Sequence, residues 1–248
     1  HTATHASKKL GDFGPDGWNR MLDDMRDIMA DYCKTGPTIL LGHSMGSLLA
    51  QQFVTRYGDQ LDALVLSGSP GFSPKPLLWL GLLATWWEHR RLGPLTNSPL
   101  LEDQVFGSAN KPFDTADDTG TGFEWLTTDS VEVKKYIDDP WCGFVPFPAS
   151  LMQMNQGILA AQTQSAIAKI PKDLPIYVFS GELDPLHGRM RNIERMLKQW
   201  ARVGIEVTLR IYKGGRHELL NDLYFDEVTA DLVAWLNENV GSENVGSE

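Results

Sequence analysis

The sequence predicts an α/β fold with a mostly parallel sheet, helices on both of its faces and an inserted helical cap. Three observations support this prediction: apolar runs of strand length alternate with helical patterns, a Gly-x-Ser-x-Gly motif joins one such run to a helix, and a central stretch differs in composition. Strands that alternate with helices are typical of a doubly wound sheet, whose parallel strands are buried on both faces. With 248 residues, 42% of them hydrophobic, the chain can form one sizeable core and carry an insertion.

The first periodic element is an amphipathic helix. Apolar residues recur at helical spacing from Trp18 to Tyr32, after the turn-like residues Gly14 to Gly17. The residues before it begin at His1, without a methionine, and are typical of a loop. Gly36 and Pro37 end the connection to the first strand.

The next stretch, from Thr38 to Ala50, contains the strand-to-helix motif Gly42-His43-Ser44-Met45-Gly46. This spacing is typical of a nucleophile elbow, a sharp turn that lifts the serine hydroxyl clear of the sheet. The elbow explains why glycine stands at positions 42 and 46, because a Cβ at either place would collide with the opposing backbone. The N–H of Met45 would then point at a developing oxyanion. The pentapeptide alone occurs by chance roughly one time in ten in a chain of this length. The alternative is a glycine-rich loop, but the flanking strand and helix patterns favour the elbow.

Composition divides the rest of the chain into a core and a cap. A second strand is predicted over 61–68, after which proline, tryptophan and phenylalanine become dense and strand alternation disappears. We therefore predict a core formed by residues 1–69 and 151–238, a cap or lid insertion at 70–150 and a flexible tail at 239–248. The tail contains Asn-Val-Gly-Ser-Glu twice in succession.

The core pattern resumes after the cap. Strands are predicted over 174–181 and 207–212, with a helix between them that buries residues such as Ile193 and Trp200. A last helix is predicted to bury apolar residues from Phe225 to Leu236.

Candidate catalytic partners for Ser44 follow the last two strands. A serine hydroxyl needs a base within hydrogen-bond reach, and that base is itself held by a carboxylate. In doubly wound hydrolases the chain order is serine, acid, histidine, at the carboxyl ends of successive strands. The third strand is followed by Glu182 and Asp184, and the fourth by His217. We prefer Asp184 because it lies deeper in its loop and Pro185 stiffens its backbone. The alternative for His217 is a surface histidine that caps the next helix.

Charge and cysteine content exclude several classes of function. The net charge of −10 and a pI near 5.0 argue against an electrostatic partner such as nucleic acid or an anionic membrane. The two cysteines, Cys33 and Cys142, are far apart and match no metal-ligand pattern, so we expect reduced thiols, as in a cytoplasmic protein. A signal-peptide pattern is absent from the printed start. We predict no cofactor and no metal, because no phosphate-binding or dinucleotide motif is present.

The longest apolar stretch, Leu77 to Trp87, is too short to span a bilayer. A lid helix is the favoured interpretation. The alternative is a transient contact of the cap with a membrane surface.

Several local motifs together resemble one family. They are the helix start at 17–24, the elbow at 42–46, the cap segments 123–129 and 136–144, and the loops 180–185 and 214–221. In these motifs the chain resembles the monoacylglycerol lipase and lysophospholipase group of the α/β-hydrolase superfamily, which is also grouped with serine aminopeptidase-like hydrolases. The resemblance runs from Leu10 to Leu236. It implies Ser44, Asp184 and His217 as a catalytic triad, the Met45 N–H as one oxyanion donor, and a lipid-like ester as substrate.

Further residues are expected to contact the substrate, and two other functions remain open. The expected substrate contacts are His43, Trp141, Phe144 and Leu186. A serine aminopeptidase would instead need an acidic residue that holds a free amine, for which Glu88, Glu124 and Asp129 are candidates. A non-catalytic binding protein with a hydrolase fold is the third alternative.

The chain departs from this family at its start. In the family the nucleophile strand is the fifth, and a His-Gly loop after the third strand supplies the second oxyanion donor. Here residues 1–3 resemble the loop after the fourth strand, so we predict an N-terminal segment that the printed sequence lacks. Without it, residues 39–41 would lie near an uncovered sheet edge. Loss of one oxyanion donor would lower turnover by roughly 10²–10³.

Overall fold

Four parallel strands form the sheet of the computed structural model, which describes residues 9–103, 108–113 and 120–240. Their spatial order is also their order in the chain: β1 (Ile39–His43), β2 (Ala63–Ser67), β3 (Ile176–Gly181) and β4 (Thr208–Tyr212). In the register of the sheet, Leu41 of β1 lies opposite Val65 of β2, and Gly181 of β3 lies opposite Tyr212 of β4. Each strand coincides with a predicted apolar run, which confirms the predicted fold class.

Helices connect the strands and build the cap. Between Gly68 and Pro148 the described residues form helices and irregular segments but no strand. Short 3₁₀ turns lie at Gly58–Gln60, Lys111–Phe113, Pro185–His187 and Leu219–Asn221. The α-helices are α1 (Gly17–Tyr32), α2 (Met45–Tyr57), α3 (Lys75–Leu92), α4 (Pro99–Glu102), α5 (Ser108–Asn110), α6 (Ser130–Asp138), α7 (Pro148–Ala161), α8 (Gln164–Ile167), α9 (Arg191–Ala201) and α10 (Phe225–Asn239).

The two central strands are buried on both faces because their side chains alternate. Leu64 and Leu66 of β2 face a core that also contains Trp18 of α1, Phe53 of α2 and Trp200 of α9. Ala63 and Val65 face the opposite core, where α10 contributes Val228 and Trp235. Helices therefore cover both faces of the sheet, as predicted.

The two outer strands differ in what they expose. In β1 the side chains of Ile39 and Leu41 are 38% and 43% exposed, although the apolar run alone predicted a buried strand. Both side chains lie on the sheet face of Ala63 and Val65, but the core on that face does not include them. Among the described residues β1 is an edge strand, as predicted. In β4 the exposed side chains are polar: Thr208 accepts a hydrogen bond from Trp235 Nε1 (3.0 Å), and Arg210 Nε lies 3.1 Å from a carboxylate oxygen of Asp231.

The cap leaves the core after β2 and returns through α7. This helix packs against α2 and α3 and runs without interruption through the predicted boundary at residue 150. None of the described helices combines the length and apolarity that crossing a membrane requires.

Predictions were also made for the C-terminal helix, the tail and the two cysteines. Phe225 was predicted to be buried, but it is the first residue of α10 and is 49% exposed. Of the predicted tail, residues 241–248 lie outside the described residues. Cys33 and Cys142 are free thiols, as predicted.

Candidate active site

Ser44 lies between the end of β1 and the start of α2, at the carboxyl edge of the sheet. Its backbone adopts φ 51° and ψ −118°, a conformation that costs a non-glycine residue roughly 1–3 kcal/mol. The Ser44 N–H donates to the Ser67 carbonyl of β2 (3.0 Å), which ties the turn to the neighbouring strand. Met45 is the first residue of α2, so its N–H has no acceptor within the helix. This is the strained strand-to-helix turn that the motif predicts.

The two elbow glycines behave differently. A Cβ on Gly42 would lie 2.6 Å from the Gly46 carbonyl oxygen and 2.8 Å from Ala50 Cβ, so the predicted collision is confirmed there. At Gly46 the prediction is wrong, because an added Cβ would meet no described atom within 4 Å. Gly46 takes part in the close approach through its carbonyl oxygen, and its own Cβ position points away from β1.

Asp184 lies in the loop after β3 and is almost completely buried. Its Oδ2 accepts hydrogen bonds from His217 Nδ1 (2.8 Å) and Ser180 Oγ (3.1 Å), and its Oδ1 accepts one from the Leu186 N–H (2.9 Å). Burial by itself would raise the pKa of Asp184. Electrostatic attraction to His217 and the hydrogen bonds from His217 and the Leu186 N–H outweigh burial and lower the pKa of Asp184 below its usual value. Glu182, the other candidate acid, accepts from the Gly214 N–H instead (3.1 Å).

His217, in the loop after β4, is 1% exposed and is held on three sides. Asp184 binds its Nδ1, while the rings of Trp125 and His43 lie 5.0 and 4.8 Å from its ring centroid. The proton on Nδ1 is assigned from this hydrogen bond. Nε2 is buried and has no hydrogen-bond partner among the described residues. Ser44 Oγ therefore makes no hydrogen bond to Nε2 here, and catalytic hydrogen bonds are often long before substrate binds. In the neutral ring with the proton on Nδ1, Nε2 carries the lone pair.

His43 and Gly68 both lie against His217. His43 Nδ1 lies 3.1 Å from Ser67 Oγ, and burial followed by the charge of His217 lowers the pKa of His43 to about 4. His43 is therefore neutral near pH 7. Gly68, at φ 53°, has no room for a side chain, since a Cβ would lie 3.0 Å from Cε1 of both His217 and His43.

The other predicted substrate contacts fall in different places. Trp141 is 60% exposed on the cap. Leu186 packs beside Trp125, next to the acid loop. Phe144 lines a cavity of about 670 Å³ within the cap and the start of the chain. Ser44, Asp184 and His217 do not line that cavity. The structure brings two of the four predicted contacts to the candidate triad: His43, whose ring lies beside His217, and Leu186, whose N–H donates to Asp184.

The carboxylates proposed for amine binding are occupied within the cap. Glu88 is buried and bonded to Arg91 Nη2 (2.7 Å) and Ser98 Oγ (2.6 Å). Burial raises the pKa of Glu124, but bonds from the Thr121 N–H and hydroxyl and the Asn110 amide lower it to about 2. Asp129 caps α6 by accepting from the Val131 N–H. None of the hydrogen bonds described for these three carboxylates involves Ser44, Asp184 or His217.

Sequence reasoning missed four residues around His217: Gly68, Trp125, Ser180 and Arg216. Two of them carried a signal. Gly68 follows the second strand at its carboxyl end, and Ser180 stands four residues before Asp184 on the third strand. Trp125 and Arg216 gave no such signal, because their partners lie about ninety residues away in the chain.

Most of this chain is similar in sequence to known proteins. The family model described as serine aminopeptidase, S33 matches residues 7–224. A monoacylglycerol lipase from Mycolicibacterium smegmatis is 25% identical over 230 residues, which cover 88% of this chain and 71% of that protein.

Solved structures share the fold. A thermostable carboxyl esterase from Bacillus coagulans superposes with a TM-score of 0.81 at 23% identity and covers 96% of this chain and 77% of its own. A monoglyceride lipase from Saccharomyces cerevisiae superposes with a TM-score of 0.66 at 16% identity, over 91% of this chain and 70% of its own. At these identities the likeness establishes the α/β-hydrolase fold.

Proposed function

Since the chain belongs to the serine aminopeptidase S33 family, in the monoacylglycerol lipase group of the α/β-hydrolase superfamily, we propose that it hydrolyses carboxylic esters of single-chain lipids. Monoacylglycerols and lysophospholipids are the substrate types we favour. The observation that carries the proposal is the combination of the strained Ser44 elbow with the buried pair of Asp184 and His217 at one sheet edge. These three residues are proposed as the catalytic triad.

In the proposed reaction Ser44 Oγ attacks the ester carbonyl carbon while its proton passes to His217 Nε2. Asp184 holds the imidazole in the tautomer whose Nε2 is free and stabilises the imidazolium that forms. The oxyanion accepts from the Met45 N–H at the start of α2. The tetrahedral intermediate then breaks its bond to the alcohol oxygen, which takes the proton from Nε2. Water attacks the acyl-enzyme in the same way and releases the fatty acid.

The apolar cap supports a lipid substrate. Helix α3 leaves one face uncovered among the described residues, and Lys75 and Arg90 stand near its two ends. Aromatic and apolar side chains flanked by cations are typical of a helix that rests on a lipid surface. We infer a transient contact of this face with the membrane that holds the substrate. Loss of vesicle co-sedimentation in the Leu83→Glu variant would support it, and unchanged binding would contradict it. The exposed apolar side chains on this face of α3 are those of Trp79, Leu80, Leu83, Trp86 and Trp87.

An aminopeptidase is the second candidate, because the matching family carries that description. It is the weaker one, since the carboxylates of Glu88, Glu124 and Asp129 are bonded within the cap and do not form an amine site near Ser44. An aminoacyl anilide cleaved faster than a medium-chain ester would reverse this ranking.

The test of the proposed function is labelling with a fluorophosphonate, followed by peptide mapping. We expect the label on Ser44, and its loss in Ser44→Ala and in His217→Ala. A series of p-nitrophenyl esters then gives the preferred acyl length. A folded protein that takes no label would favour the third alternative, a binding protein without catalysis.

A further inference from the structure

The loop that carries His217 lies side by side with one segment of the cap, residues 124–128. The backbone N–H groups of His217 and Glu218 donate to the carbonyl oxygens of Trp125 (3.4 Å) and Leu126 (2.7 Å). Both cap residues are buried at this contact, and the Trp125 ring packs on the His217 ring. The cap therefore contributes directly to the surroundings of the candidate base.

Arg216 binds the cap segment through two of its backbone carbonyls. Its Nη1 donates to the carbonyl oxygens of both Glu124 (2.6 Å) and Thr127 (2.9 Å), and its guanidinium carbon lies 4.6 Å from the Phe113 ring centroid. Its Nε is buried and has no hydrogen-bond partner in the described part of the chain. Burying part of a guanidinium against neutral carbonyls, with Nε unsatisfied, is costly. Its placement is better explained by the geometry that it imposes on the two segments than by net stabilisation.

Asp222 fastens the other end. This buried carboxylate accepts hydrogen bonds from the N–H (2.8 Å) and the hydroxyl of Thr128. Beside it, Thr127 Oγ1 donates to the Asn221 carbonyl (2.8 Å). Arg216 precedes His217 in the chain and Asp222 follows it, so the cap segment is fixed on both sides of the base.

We propose that Arg216 and Asp222 are positioning residues for the ester hydrolysis. They clamp residues 124–128 onto the histidine loop, and this contact keeps His217 in line with Asp184. The inference rests on the proposed function, because it assigns a purpose to the position of His217. It also divides the cap: residues 124–128 belong with the catalytic loop, so any opening of the cap occurs elsewhere.

The test compares Arg216→Gln with a matched control, Arg195→Gln. Arg195 is also half-buried and also donates to a backbone carbonyl, that of Phe72 (2.7 Å), but it does not touch the histidine loop. With p-nitrophenyl butyrate we expect Arg216→Gln to lower kcat by about 10- to 100-fold with little change in KM, because misplacement of a catalytic group by about 1 Å can cost 10²-fold. Arg195→Gln should keep kcat within about twofold. Arg216→Lys, which retains one donor to the carbonyls, should recover part of the loss.

A second measurement does not depend on activity. Hydrogen exchange in peptides that contain residues 124–128 and 214–222 should accelerate in Arg216→Gln and in Asp222→Asn, but not in Arg195→Gln. The inference is overturned if exchange in both segments is unchanged, or if kcat falls only in proportion to the unfolded fraction. If the unaltered chain takes no fluorophosphonate, the proposed function fails, while the exchange experiment still decides whether the clamp exists.

Discussion

The acid–base half of the candidate site and its nucleophile half are supported in different ways. Asp184 follows β3, which is buried at every position, and His217 is enclosed by Asp184, Trp125 and His43. Ser44 follows β1, an outer strand with exposed apolar side chains, and its backbone is tied to β2 by one hydrogen bond. The comparison teaches that candidate site residues at one edge of a sheet can depend on packing of very different completeness. Catalysis and stability should therefore respond differently to changes on the two sides.

The largest effect should come from breaking the enclosed half. Asp184→Asn is expected to lower kcat on p-nitrophenyl butyrate by about 10⁴-fold, because His217 loses the partner that selects its tautomer. Glu182→Gln is the control, since Glu182 bonds to the Gly214 N–H and not to His217. Equal losses in the two variants would show that the acid has been assigned wrongly.

A smaller effect should separate the inner and outer strands. Leu64→Ala in β2 is expected to lower the free energy of unfolding by about 2–5 kcal/mol, because it leaves a cavity in a closed core. Leu41→Ala in β1, at a half-exposed position, should change it by no more than about 1 kcal/mol. Urea titration measures both. Similar losses would mean that the outer face of β1 is covered in solution.

A third effect, on the pH dependence of stability, concerns His43, where the two halves meet. Its pKa is lowered from 6.5 to about 4, so between these values the unfolded chain binds a proton that the folded chain does not. The free energy of unfolding should therefore decrease as the pH falls from about 6.5 towards 4. His43→Asn should flatten this dependence, whatever its effect at pH 7. Parallel pH profiles for the two proteins would contradict the assignment.

Local sequence patterns were sufficient for much of the fold. The four strands, α1, α2, α9 and the elbow were predictable because apolar periodicity and glycine placement act within a few residues. The spatial order of the strands was not predicted and comes from the structure.

Features that depend on distant partners were not predictable. Nothing near Arg216 indicates that it binds carbonyls in the cap, and nothing near Gly46 indicates that its Cβ position is open. The choice between Glu182 and Asp184 rested on loop position and Pro185, whereas the structure distinguishes them through contacts with residues 214 and 217. The exposure of Ile39 depends on what packs on that face of β1, which no local pattern encodes.

The strand order also has a consequence for folding kinetics. β1, α2 and β2 form one local unit, and β3, α9 and β4 form another, while residues 68–175 separate the two. Contacts close in sequence form fast, and long loops delay pairing. Ser44 belongs to the first unit, and Asp184 and His217 belong to the second. We therefore expect refolding chains to regain helical signal before they regain fluorophosphonate reactivity, since that reactivity must wait for β2 to pair with β3. Simultaneous recovery of the two signals would argue against this order of events.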